Sequence, residues 1–282
     1  MNLDAYFARI GYDGPRTPTR ATLDGISRAH ASAIPFENLD VLLGRRIELA
    51  PEALFDKLVT RRRGGYCFEQ NGLLLEVLGR LGFEVAPLSA RIRIDRPRDT
   101  TPSRTHVFLR VEIDGESFVT DVGVGSLSLT QSLRLGTEEE QATPHEPRRI
   151  VREGGRLFHQ VKLGEAWSDV YEFTLEEMPL IDRELANWFT STHPDSHFRN
   201  RLIVARADGD GARLTLLNGE LKRRDRQGRA TVTPIETPDA LLAALDAGFD
   251  LRFPAGTRFG GAGSPWPTEG PTEEPSDRRT EG

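Results

Sequence analysis

Apolar residues recur every three or four positions over most of the first 83 residues, then every second position through much of the next hundred. The first spacing is that of amphipathic helices and the second that of half-buried strands. The helical part reads as 3-LDAYFARIGY-12, 19-TRATLDGISRAHASAI-34, 49-LAPEALFDKLVT-60 and 68-FEQNGLLLEVLGRLGF-83. Thr19 or Thr22 caps the second helix and Pro35 ends it, while Pro51 suits a first helical turn. In the fourth, Leu74, Leu75, Val77, Leu78 and Leu81 share a face, and Gly82 supplies the stop. Alternation then predicts strands at 85–94, 106–113, 117–124, 156–163, 168–175, 201–208, 212–219 and 220–225. Helices interrupt them at 180–192 and 238–249. Helices first, antiparallel strands next and a mixed end make an α+β protein of two or three subdomains.

Composition narrows the function classes. The 282 residues are 37% hydrophobic and 28% charged, with a net charge of −6 and both signs interspersed. There is no basic stripe for nucleic acid. No window of 18 apolar residues suggests a membrane span, and the N-terminus lacks a signal-peptide pattern. The single cysteine excludes an intramolecular disulfide, so a cytoplasmic location is expected. The segment 260–282, rich in Gly, Pro, Glu and Ser, is expected to be disordered and without function.

That cysteine stands in 61-RRRGGYCFEQN-71. A helix beginning at Phe68 or Glu69 would put the Cys67 sulfur at the positive end of its dipole, which favours the reactive thiolate. Gly64 and Gly65 leave room beside it. Taken alone, the segment also fits an inert packed thiol. A thiolate enzyme needs a base, and the hairpin around Asp114-Gly115 offers one. If 113 faces 116, opposed positions sum to 229, so His106 faces Gly123 and Phe108 faces Asp121. His106 and Asp121 then share a face as diagonal neighbours, about 7–8 Å apart at the backbone. A three-residue loop would put them on opposite faces. Spacing alone leaves a catalytic Cys67–His106–Asp121 set and a structural strand-end histidine equally open.

Three segments in this order resemble the arylamine N-acetyltransferase family: 34-IPFENLD-40, 62-RRGGYCFEQN-71 and 105-THVFLRVEIDGESFVTDVGVG-125. Weaker similarity runs through 171-YEF-173 and 187-NWFTSTHPDSHF-198 to 213-RLTLLNGEL-221. The resemblance implies a helical bundle (1–83) carrying the nucleophile, an antiparallel β-barrel (84–185) carrying His and Asp, and an α/β lid (186–259). It implies the triad Cys67, His106 and Asp121. It further implies acetyl-coenzyme A as co-substrate, with no permanent cofactor or metal, and an arylamine, arylhydrazine or arylhydroxylamine as acceptor. Gly123, Val124, Gly125 and Ser126 are expected near the coenzyme A pyrophosphate, and Phe36 and Tyr66 beside the aromatic acceptor. Glu37, Asn38, Arg63, Glu69 and Asn71 are expected to support the cysteine loop. The same triad would also serve an amide synthase that closes macrolactams from a carrier protein, or a cysteine amidase or transglutaminase-like enzyme.

Overall fold

The computed structural model describes residues 1–260. The tail expected to be disordered therefore falls, past its first residue, outside the described residues. The chain opens with α1 (Leu3–Ile10) and α2 (Arg20–Ala33), followed by β1 (Phe36–Glu37) and the short α3 (Leu39–Leu42). Next comes α4 (Pro51–Phe55), which runs on as one π-type turn (Asp56–Thr60), and then α5 (Cys67–Arg80). Thr19 caps α2 by accepting from the Thr22 N–H. Pro51 sits in the first turn of α4, where its missing N–H leaves no bond unmade. Gly82 follows α5 with a φ of 87°, a left-handed value that suits glycine. Tyr6, Phe7, Leu23, Ile26, Leu58, Leu74 and Val77 fill the core of this bundle.

Seven strands follow: β2 (Glu84–Ile92), β3 (His106–Ile113), β4 (Glu116–Thr120), β5 (Leu133–Arg134), β6 (Arg148–Glu153), β7 (Arg156–Leu163) and β8 (Ala166–Glu177). Their order in the sheet is β5-β4-β3-β2-β8-β7-β6, with every pairing antiparallel. Gln141 nearly closes the sheet into a barrel. Its main chain exchanges two hydrogen bonds with Arg148 of β6 (2.7 and 2.9 Å). Its side chain accepts from the Arg134 N–H of β5 and donates to the Arg134 carbonyl (2.8 and 3.0 Å). The β3–β4 hairpin turns on Asp114 (φ 52°) and Gly115 (φ 80°), the two positive values of a type I′ turn. It pairs Ile113 with Glu116 and Leu109 with Thr120, so opposed positions sum to 229. The strand expected to run to 124 ends at Thr120.

The remaining elements are α6 (Leu180–Thr192), α7 (His197–Asn200), β9 (Ile203–Ala207), β10 (Arg213–Leu217), β11 (Glu220–Arg224), β12 (Ala230–Pro234) and α8 (Pro238–Phe249). The helices at 180–192 and 238–249 have the limits that periodicity predicts. β1 is an unexpected feature. Two residues between α2 and α3 pair with β9 and join the sheet β1-β9-β10-β11-β12. Leu39 and Leu42 of α3 enter the core beneath that sheet, with Leu245 and Phe249 of α8. The C-terminal sheet is thus fastened to the N-terminal segment by main-chain bonds and a shared core. The boundary expected at 185/186 falls inside α6. Among the described residues no helix is long and apolar enough to cross a membrane.

Candidate active site

Cys67 is the first residue of α5, one position earlier than the sequence pattern suggests. The reason lies in Glu69, whose carboxylate turns back to accept from the Tyr66 N–H (3.0 Å) and so starts the helix at 67. Asn71, one turn on, lies on the same helical face as Cys67. That face meets the open ends of β3 and β4. Asn71 donates to the Val107 carbonyl (2.8 Å) and to Asp121 Oδ1 (2.9 Å), and accepts from the Val122 N–H (3.1 Å). The helix that carries the thiol therefore also holds the hairpin end that carries the carboxylate.

The hairpin register delivers His106 and Asp121 to one face, and their side chains meet at Nε2···Oδ2, 2.7 Å. The second carboxylate oxygen accepts from Asn71 and from the Gly123 N–H (2.9 Å). Three donors satisfy a carboxylate that is fully buried, the condition for keeping a charge in the interior. The His106 ring lies parallel to Phe108 at 6.4 Å and is tilted against Tyr171 at 5.3 Å, which fixes its plane. Nε2 is committed to Asp121, so Nδ1 is the atom left for Cys67. Cys67 Sγ lies 3.7 Å from the Thr105 carbonyl, next to the histidine. Burial alone would lower the His106 pKa. Asp121 chiefly, and Cys67 after it, outweigh burial and raise it to about 10. His106 therefore carries its proton at neutral pH.

That shift is also a stability statement. A histidine raised from 6.5 to about 10 contributes stability fully below pH 6.5, and this is lost as pH rises toward 10. Urea unfolding of the wild type and of His106→Gln should thus differ most below pH 6.5 and converge near pH 10. A difference independent of pH would show that the fold does not raise the His106 pKa.

Around the triad stands a buried charge network. Arg63 donates to Glu37 Oε1 (2.7 Å) and Asp40 Oδ1 (3.1 Å), while Lys57 reaches Asp40 Oδ2 (2.7 Å) and Glu69 Oε1 (2.6 Å). Burial pushes the Asp40 carboxyl up, but Lys57, Arg63 and Arg45 pull it down to about 2. The chain of five charges links α3, the π-type turn, the glycine loop and α5. Gly64 and Gly65 fit inside it because a Cβ would come within 2.1 Å of the Pro35 oxygen or 2.6 Å of Glu69 Oε2. Asp40, Lys57 and Gln70 escape the sequence reading. Gln70 donates to the carbonyls of Pro35 (2.7 Å) and Gly65 (3.2 Å), and its oxygen meets His30 Nε2 (2.6 Å). A polar pair, Gln70-Asn71, just ahead of the apolar run 73–75 in a buried helix is the signal that could have revealed it.

Other expected site residues lie as follows. Asn38 does not support the cysteine loop. It donates to the Phe198 and Arg201 carbonyls (2.6 and 2.7 Å) and accepts from the Ile203 N–H (2.9 Å), clamping the chain between α7 and β9. Phe36, Tyr66 and Cys67 share one buried cluster with Phe68, Val107 and Met178. Tyr66 is fully buried, and its hydroxyl donates to Asn187 Oδ1 of α6. The Gly123 N–H is taken by Asp121, and a Cβ at Gly123 would lie 2.8 Å from the Cys67 Cα. Val124 and Ser126 are half-buried, and Gly125 (φ 78°) packs against the Phe36 ring. Among the described residues no group of three or more His, Cys, Asp or Glu is placed to hold a metal ion.

A thiol at a helix start, an imidazole and a buried carboxylate, joined in that order on a bundle-and-barrel framework, are the equipment of a thiol-dependent acyl-transfer enzyme. A family model described as N-acetyltransferase matches residues 19–257. The chain belongs to the arylamine N-acetyltransferase family. It is 47% identical over 209 residues to the arylamine N-acetyltransferase of Mycolicibacterium smegmatis, spanning 73% of this chain and 76% of that one. It is 41% identical to the arylamine N-acetyltransferase / N-hydroxyarylamine O-acetyltransferase of Salmonella typhimurium, over 88% of both chains. The structure of Mycobacterium marinum arylamine N-acetyltransferase in complex with CoA superposes with a TM-score of 0.85 at 40% identity, covering 88% of this chain and 92% of that one.

Proposed function

We propose that this protein moves an acetyl group from acetyl-coenzyme A to the nitrogen of an arylamine, arylhydrazine or arylhydroxylamine, through an acetyl-Cys67 intermediate. The observation that carries the reading is the Cys67–His106–Asp121 arrangement at the start of α5. The relatives' names support the acceptor class, and the coenzyme A complex of the Mycobacterium marinum relative supports the donor.

Each step follows from the geometry. An imidazolium at His106 and the N-terminal end of α5 both favour an anion at the sulfur, which therefore attacks as a thiolate. The thiolate attacks the thioester carbonyl, and the new oxyanion meets main-chain N–H groups at the start of α5, those of Cys67 and Phe68, since the N–H groups of Glu69 and Gln70 are given to the Tyr66 carbonyl. The C–S bond to coenzyme A breaks, and the departing sulfur takes the His106 proton, which leaves a neutral imidazole. The aromatic nitrogen then attacks the acetyl carbon, a proton passes from nitrogen to His106, and the Cys67 thiolate is expelled. Asp121 steadies the imidazolium throughout. We assign Phe36 and Tyr66 to the acceptor side. The 123–126 turn goes to the coenzyme A side, with Gly125 and Ser126 as its available main-chain donors. We divide the chain into bundle (1–83), barrel (84–185) and α/β lid (186–259), with α6 spanning the last boundary, and place it in the reducing cytoplasm, where a lone catalytic thiol survives.

Incubation with acetyl-coenzyme A alone should add about 42 Da to the protein, mapped to Cys67, and a panel of aromatic amines and hydrazines should discharge it. Absence of the adduct, together with acylation by a carrier-protein thioester, would replace this reading with an amide synthase.

A further inference from the structure

The triad is covered. Cys67 is 4% exposed, His106 3% and Asp121 fully buried. A thioester carbonyl must come within about 3–3.5 Å of the sulfur with its substituents attached. Something above Cys67 must therefore move before the chemistry begins.

The cover is α6. Ala186, near its middle, packs into the Cys67 cluster. Of its 13 residues only Asn187 and Thr190 are buried. Ile181, Leu185 and Trp188 are 60–64% exposed. Cavities lie on both flanks. One of about 800 Å³ runs between residues 44–50 and Asn187, Trp188 and Ser191. The other, about 340 Å³, lies between Leu185 and Ala186 on one wall and Thr105 and Met178 on the other. Thr105 is the residue whose carbonyl faces the sulfur. A helix with voids on two sides and little buried apolar surface is held weakly.

Its two ends are fixed. Before it, Met178 donates its N–H to the Pro87 carbonyl of the barrel (2.8 Å). After it, Asn38 clamps residues 198–203. Between those anchors the bonds from α6 to earlier parts of the chain centre on Asn187. It accepts from the Tyr66 hydroxyl and donates to the Ile47 carbonyl (3.1 Å). Ser191, one turn on, flanks the same hydroxyl. Tyr66 immediately precedes the nucleophile, and Ile47 lies on the wall of the larger cavity.

We propose that α6 is a lid hinged at Pro179 and at His193-Pro194, and that Asn187 is the latch that holds it shut over Cys67. Asn187 is a positioning residue. It acts through Tyr66 and Ile47 and touches no reacting atom. Opening joins the two cavities over the sulfur, and closing excludes water from the acyl-enzyme.

The lone thiol makes the test specific, since a reagent for cysteine reads Cys67 alone. Alkylation of the folded protein follows the population of the open form when the lid moves quickly. Loss of one or two hydrogen bonds should raise that population, and the rate with a bulky maleimide, about five- to tenfold. The expected result is this acceleration in both Asn187→Ala and Tyr66→Phe. The ratio of the bulky to the small reagent rate should rise too, and exchange of α6 amides should quicken ahead of the rest of the protein, while the folding equilibrium constant falls by no more than the same five- to tenfold. Should Asn187→Ala fail to fold, Tyr66→Phe, which keeps the ring, decides the matter alone. Wild-type labelling rates and wild-type α6 exchange in a folded variant would overturn the latch. The labelling needs no acetyltransferase activity, so its failure is separable from failure of the proposed function.

Discussion

Cys67→Ser is expected to lower acetyl transfer by about 10,000-fold or more, while its unfolding free energy in urea stays within about 1 kcal/mol of the wild type. The reason goes beyond the loss of a good nucleophile. His106 is raised to about 10 and already holds a proton at neutral pH. A thiolate needs no further base, whereas a serine hydroxyl must lose its proton to a group that has no room for it. The fold should survive, because the contacts of the sulfur, 3.7 Å to the Thr105 carbonyl and the one to His106, are ones a hydroxyl can replace. The measurement is acetylation of an aromatic amine beside an unfolding curve. Residual activity above a few per cent of wild type would remove Cys67 from the covalent route.

The second large effect is expected at Asp121. The carboxylate accepts three hydrogen bonds, two at Oδ1 from Asn71 and Gly123 and one at Oδ2 from His106. In Asp121→Asn the amide oxygen keeps the two donors, so its NH₂ group turns to His106. Nε2 must then accept, and the imidazole proton moves to Nδ1, the nitrogen facing Cys67. That tautomer can neither take the thiol proton nor remain an imidazolium. A loss of about 1,000- to 10,000-fold in kcat is expected, with KM for acetyl-coenzyme A nearly unchanged. The pH profile of thiol alkylation should shift in the same variant. A loss expressed mainly in KM would mean that Asp121 shapes a binding surface.

Much of this site is legible in the sequence because its key relations are local. Asp114-Gly115 fixes a two-residue turn, the turn fixes the sum of 229, and the sum puts His106 and Asp121 on one face. Helical spacing likewise puts Asn71 one turn beyond Cys67. Asn38 misleads for the opposite reason. It stands beside Glu37 in the chain but bonds to residues 198–203, about 160 positions away. Lys57 and Asp40 look like surface charges of short helices until Glu69 and Arg63 are brought beside them. β1 has two residues and no periodicity, so only its pairing with β9 makes it a strand. The tightness of Gly123 against the Cys67 Cα is equally invisible before α5 meets the hairpin.

The sequence by itself determined most of the succession of helices and strands, the likeness to the family, and, given a two-residue turn at Asp114-Gly115, the shared face of His106 and Asp121. These rest on periodicity, turn chemistry and motif order, all of which act over a few residues. Only the tertiary structure decided that α6 packs on the cluster around Cys67, that Asn187 bonds to Tyr66, and that Asn71 joins the thiol-bearing helix to the carboxylate. Those relations depend on where separate elements pack, which no local spacing encodes.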